Sequence, residues 1–185
     1  PQFHDGLFSA EENAIVDFKY ASTDRLTWWF DHHHSAFLTP HDERHFLKDH
    51  TGKKFYDPAF KSCTKPIASF QASTLVELIH WADIIDGALY QDAKTAVEIE
   101  EPAQKLATVI EATREPEFIH RLIRQLAFHP LNQVATQRAV TDRFEPLMEL
   151  HRKNMGIIRE SAHCSNGVMY FDLTGYQLEG YNKFI

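Results

Sequence analysis

The feature that most constrains this chain is the run Leu26-Thr27-Trp28-Trp29-Phe30, which ends abruptly in Asp31-His32-His33-His34. A near-continuous apolar run rich in aromatic residues does not alternate between core and solvent. It therefore predicts a strand covered on both faces, as in a parallel sheet flanked by helices. The carboxylate and imidazoles then emerge at the strand's C-terminal end, where open α/β sheets gather ligands. A second apolar run, Ala14-Ile15-Val16-Asp17-Phe18, also carries a carboxylate at its end. The two predict buried, parallel strands whose ends set Asp17 beside Asp31-His32-His33.

The rest of the chain supplies helices. Between Ser35 and Lys61 a polar stretch interrupted by Pro40, Gly52 and Pro58 cannot hold one long helix, and it reads as a surface excursion with a short helix over 40–49. Lys65-Pro66 after Ser62-Cys63-Thr64 predicts a helix over 65–71. Ser73 or Thr74 can cap a second, whose apolar face runs through Leu75, Leu78, Ile79 and Ala82 until Gly87. Further starts at Glu101-Pro102, Glu115-Pro116 and Pro130 predict helices to about residues 113, 128 and 162, with a kink or break at Pro146. A last strand over Val168 to Asp172 is expected to rejoin the sheet. The fold class expected is α/β, a parallel sheet with flanking helices carrying a helical subdomain.

Composition narrows the function classes. With 185 residues, 43% of them hydrophobic, the chain can bury a substantial core. A net charge of -7 disfavours a protein that coats nucleic acid and gives no reason to expect stable duplex binding. It does not exclude phosphate chemistry, because carboxylates that gather divalent cations can hold phosphate through them. Cys63 and Cys164 form no C-x-x-C pair, which argues against a disulfide framework or a thiolate zinc site and fits a reducing cytoplasm. No apolar run approaches the roughly 18–20 residues that span a bilayer, so a soluble protein without membrane contact is expected.

The densest group of metal-ligand residue types is Asp31-His32-His33-His34, with Asp17 at strand distance before it and Asp83 and Asp86 after it. Carboxylate plus imidazole suits Mn²⁺ and, to lesser degrees, Mg²⁺, Zn²⁺ or Co²⁺. The competing reading of the histidines is a solvated turn, and that of Asp83 and Asp86 is the solvent face of a helix. The buried character of the strand before Asp31 weighs against the first, since charge at its end needs a partner.

Asp17 at a strand end, Asp31-His32-His33 continued by His34-Ser35-Ala36-Phe37, and Trp81-Ala82-Asp83-Ile84-Ile85-Asp86-Gly87-Ala88 resemble successive motifs of the DHH phosphoesterase superfamily. The stretch from Asp57-Pro58 to Ser62-Cys63-Thr64 is similar to it as well. That superfamily holds manganese-dependent pyrophosphatases, exopolyphosphatases, oligonucleotide and cyclic-dinucleotide phosphodiesterases, and a single-strand DNA exonuclease. The resemblance implies a Rossmann-like DHH domain: a partial metal-binding part over 1–95, a helical part of the same domain over 96–165, and a return strand and linker over 166–185.

It further implies that Asp17 bridges two Mn²⁺ ions, His32 ligates one, and Asp86 completes the carboxylate set, with Asp83 as the alternative. His33 would face the substrate phosphate, and Asp31 would orient the imidazoles. By the wording of Asp31 to Phe37 and Trp81 to Tyr90 the resemblance leans to an exopolyphosphatase. Polyphosphate, a phosphorylated small molecule, a short oligonucleotide or a cyclic dinucleotide all stay open as substrates, and a homodimer is compatible.

Two departures bear on activity. The superfamily's opening motif, a His and two Asp residues, is absent before Asp17, and its C-terminal substrate domain would begin where this sequence stops. On that ground the chain is expected to be a fragment with little or no activity. Two other readings stand beside the two-metal enzyme: a mononuclear hydrolase using Asp17, His32 and His33, and a binding or regulatory module with a vestigial metal site.

Overall fold

The computed structural model describes residue 3, residues 5–71 and residues 75–176. It is a mixed α/β structure whose contacts divide it into two compact units, 1–93 and 94–185. Among the described residues no helix is long and apolar enough to cross a membrane.

The first unit is built on a parallel sheet of β1 (Ala14–Val16), β2 (Trp28–Asp31) and β3 (Lys54–Tyr56), in the order β1-β2-β3. Val16 lies opposite Phe30, and Asp31 lies opposite Tyr56, so the C-terminal ends of β1 and β2 sit side by side. Only β2, the central strand, is covered as expected. Trp29 and Asp31 have no exposed surface, whereas Ala14 and Val16 stand on a face of the edge strand β1 that is open to solvent. The expected surface excursion is also corrected, since it supplies a third strand. Lys54-Phe55-Tyr56 is too short and too polar at its start to stand out from its surroundings, and the sheet uses it because Lys54 finds a buried partner.

That partner is Asp49, whose Oδ2 lies 2.9 Å from Lys54 Nζ. Lys54 also donates to Tyr20 Oη at 3.2 Å, and Tyr20 Oη is 2.8 Å from His45 Nδ1. Around Trp29 stand Tyr20, Phe37, Phe46 and Tyr56, with ring centroids 4.8 to 5.7 Å away. The indole N–H donates to the Phe18 carbonyl at 2.9 Å, which ties the chain leaving β1 to the central strand. Helix α1 (Pro40–Leu47) closes this core. Thr39 caps it and Asp42 returns the bond to the Thr39 backbone.

Helices α2 (Thr64–Gln71) and α3 (Val76–Asp86) complete the unit and pack on each other. The expected caps Ser73 and Thr74 lie outside the described residues, and Leu75 before α3 makes no side-chain capping bond. After α3, Gly87 passes so close to its neighbours that a Cβ there would sit 2.7 Å from the Asp83 carbonyl and 3.1 Å from Lys61 Cβ.

The second unit begins within α4 (Ala93–Glu98), a helix the sequence did not announce. It continues through α5 (Pro102–Ala112), α6 (Pro116–Leu126), α7 (Leu131–Ala135) and α8 (Arg138–Ser161). Leu106, Val109, Phe118, Leu122, Val134, Val140 and Met148 are among its buried residues. Proline opens α5 and α6, where its missing N–H costs nothing. The break between the last two helices falls at Thr136-Gln137, ten residues before Pro146. Thr136 Oγ1 bonds back to the Asn132 carbonyl and closes α7, while Gln137 is extended. Pro146 lies inside an unbroken α8, whose buried face of Val140, Phe144 and Met148 carries the helix through it.

Val168–Phe171 does not rejoin the sheet. It forms β5 of an antiparallel hairpin with β4 (Ala162–Ser165), turning at Asn166-Gly167, both with positive φ. Two successive left-handed residues make a tight hairpin turn, so the nearer partner wins. The expected linker falls partly on residues 177–185, which lie outside the described residues.

Candidate metal centre

The sheet's C-terminal edge brings together Asp17 and His32, and α3 adds Asp86. His32 Nε2 lies 3.2 Å from Asp17 Oδ1 and 3.2 Å from Asp86 Oδ2. The other ring nitrogen is 3.3 Å from the Phe60 carbonyl, which can only accept, so Nδ1 carries a proton. Nε2 is buried and has no hydrogen-bond partner despite the two oxygens beside it. His32 Nε2 thus stands between two carboxylate oxygens, a place that a ring proton or a cation would fill. The donor set, two carboxylate oxygens and one imidazole nitrogen, fits Mn²⁺ or a similar hard-to-borderline ion.

Asp17 reaches the site through strained backbone: it follows β1 with φ of 58°, in the left-handed region, while its N–H donates to the Phe30 carbonyl at 2.9 Å. Such conformations cluster at functional sites. Asp86 reaches it from the last residue of α3. Burial and the neighbouring Asp17 carboxylate raise the Asp86 pKa above the ordinary range, with His32 and His33 opposing.

His33 is half-exposed and plays a different part. Its Nδ1 donates to Asp31 Oδ1 at 2.7 Å, which leaves Nε2 unprotonated in the neutral ring; Nδ1 lies 3.9 Å from Asp17. The Asp31 hydrogen bond raises the His33 pKa, so the ring takes up a proton more readily than a free imidazole. Asp17, His32 and His33 each offer an atom within 4.8 Å of the others. Asp31 itself is fully buried. Its Oδ1 accepts from the His32 and His33 backbone N–H groups at 2.8 and 3.2 Å, while Oδ2 has no partner. Asp31 thus orients the imidazole of His33 alone, since the Phe60 carbonyl holds that of His32.

Asp83 and Asp86, one turn apart, go to different places. Asp83 Oδ1 accepts from Ser62 Oγ at 2.6 Å, and Oδ2 lies 3.1 Å from Lys65 Nζ. Burial works against its charge, yet Ser62 and Lys65 prevail and hold the Asp83 carboxyl below its usual pKa. It is a satisfied carboxylate, held by Ser62 and Lys65. Cys63 donates to the Phe30 carbonyl at 3.0 Å, and burial pushes its thiol up to about 12, so it stays protonated and is no thiolate ligand. His34 and His50 are exposed.

Sequence reasoning singled out the stretch from Asp57 to Thr64 without assigning it work. Phe60, Ser62 and Lys65 are what it missed. A backbone carbonyl leaves no trace in residue type, and a serine beside a lysine is unremarkable until the helix carrying Asp83 is placed against them. Comparison with known proteins adds no relative: no family model, no curated protein and no solved structure matches this chain.

Proposed function

We propose that the chain carries the metal-binding part of a phosphoesterase of the DHH type, hydrolysing phosphoanhydride or phosphodiester bonds with the help of bound Mn²⁺. The observation that carries this reading is His32 Nε2 standing 3.2 Å from a carboxylate oxygen of both Asp17 and Asp86. Bound there, the ion would supply an acidified water and neutralise charge on a phosphate. The chain's own residues do the rest. Asp17, His32 and Asp86 hold the cation, and the Phe60 carbonyl keeps His32 in the tautomer that can ligate. His33, braced by Asp31, turns its free nitrogen to the open side and, when protonated, donates to a phosphate oxygen.

A second, mononuclear reading has its own support. Asp17, His32 and His33 each offer a ligand atom within 4.8 Å of the others, a set that can hold a single ion. Polyphosphate is the substrate favoured by the resemblance around Asp31 to Phe37, with oligonucleotides and cyclic dinucleotides behind it.

The test is Mn²⁺ titration of the wild-type chain and of His32→Ala, followed by calorimetry, together with phosphate release from polyphosphate and cleavage of a dinucleotide by the same proteins. The expected result is saturable binding that His32→Ala weakens by more than about 100-fold, beyond the effect of losing an outer partner. Two ions per chain support the binuclear reading and one ion supports the mononuclear reading. Absence of saturable binding, or binding indifferent to His32→Ala, overturns both.

A further inference from the structure

We propose that Asp83 is a positioning residue: locked to Ser62 and Lys65, it fixes the rotation of α3 and thereby aims Asp86 at His32. This inference rests on the reading of Asp86 as a ligand, and it concerns how that ligand is put in place.

Among the described residues of α3 none is fully buried. A helix whose apolar face is only partly covered is weakly specified about its own axis, because burial does not strongly distinguish small rotations. Asp86, at its last residue, must nonetheless meet a nitrogen on the sheet to within a few tenths of an ångström. Asp83 stands one turn earlier on the same face. Its carboxylate is mostly buried and accepts from Ser62, itself 2% exposed, at 2.6 Å.

The segment that receives Asp83 is tied to the other half of the site. The Phe60 carbonyl accepts from His32 Nδ1, and Cys63 Sγ donates to the Phe30 carbonyl two residues before His32. Gly87 allows the end of α3 to approach Lys61. Residues 60–65 therefore touch the strand-borne half through Phe60 and Cys63 and the helix-borne half through Ser62, Lys61 and Lys65. They act as a spacer that sets the distance between the two, and Asp83 is the contact through which α3 is referred to it.

The test compares Asp83→Asn, Asp83→Ala and Ser62→Ala by Mn²⁺ affinity and by amide hydrogen exchange of the metal-free chain. A positioning role predicts that Asp83→Asn, which keeps an oxygen for the Ser62 hydroxyl, stays within about threefold of wild type. Asp83→Ala and Ser62→Ala are each expected to lose about tenfold or more in affinity, the scale of an outer partner. Exchange within α3 should rise about tenfold in both alanine variants while β2 is unchanged. If Asp83 ligates directly, Asp83→Asn abolishes binding and Ser62→Ala leaves it intact, which overturns the proposal. Unchanged exchange in α3 overturns it too. Failure of the wild-type chain to bind Mn²⁺ sinks the proposed function instead, and the exchange measurement then decides the role of Asp83 by itself.

Discussion

Trp29→Ala is expected to cost about 4 kcal/mol and to leave the first unit largely unfolded in mild urea. Trp29 is wholly buried on the central strand, ringed by four aromatic side chains, and its N–H closes the turn after β1. Removing it opens a cavity that rigid neighbours cannot collapse into, and it orphans the Phe18 carbonyl. A domain of this size is stable by only about 5–15 kcal/mol, so the loss is a large share of the whole. Urea titration followed by circular dichroism measures it. Trp28→Ala is the control, because Trp28 points to the other face of β2 and is only partly covered. Equal losses in the two variants would contradict the placement of the core on the Trp29 face.

Asp49→Ala is expected to cost about 3 kcal/mol at pH 6, and the cost depends on pH in a defined sense. Asp49 and Lys54 are almost entirely withdrawn from water, with side chains 12% and 5% exposed. Taking away the carboxylate strands the ammonium. Burial works against the charge of Asp49, yet its bonds with Lys54 and Thr51 lower its pKa to about 2. For Lys54 burial again opposes the charge, and its bonds to Asp49 and Tyr20 raise its pKa above the ordinary value of 10.5.

A depressed acid contributes stability that is present above its unfolded pKa and is lost as pH falls through the folded value. A raised base contributes stability that is present below its unfolded pKa and is lost as pH climbs past the folded one. The difference between wild type and Asp49→Ala should therefore be full from about pH 4 to about pH 10 and shrink towards pH 2. Urea midpoints at pH 2.5 and pH 6 check this. The double variant Asp49→Ala, Lys54→Met should recover most of the loss, because it removes the stranded charge. A gap of equal size at both pH values would show that the pair contributes by shape alone.

How much of this was legible beforehand depended on how far each signal lay from the residues it concerned. The Trp28-Trp29-Phe30 run could be read as a strand because local composition decides a doubly covered strand. β3 could not, since Lys54 belongs in a strand only once Asp49 is brought to it, and nothing in Lys54-Phe55-Tyr56 announces that. The convergence of Asp17 on His32 followed from two strand ends in parallel. The choice between Asp83 and Asp86 did not, because residues three apart share a helix face and only Ser62 and Lys65 tell them apart. The partners that hold the Nδ1–H of His32 and of His33 are likewise invisible in the sequence, being a carbonyl 28 residues away in one case and a carboxylate two residues away in the other. The hairpin over 162–171 is not legible in the apolar run over Val168 to Phe171 alone, because a strand's partner is chosen by proximity along the folded chain.

The left-handed turn at Asp17 bears on how such a sequence drifts. At φ of 58° glycine sits without strain, and asparagine is as comfortable there as aspartate. Asparagine has nearly the same shape, and it would relieve the crowding of negative charge around Asp86. Two of the mildest replacements open to the backbone at this position therefore keep or ease the fold while discarding the carboxylate that the proposed metal site would draw on, so folding alone gives no reason for an acid in that turn.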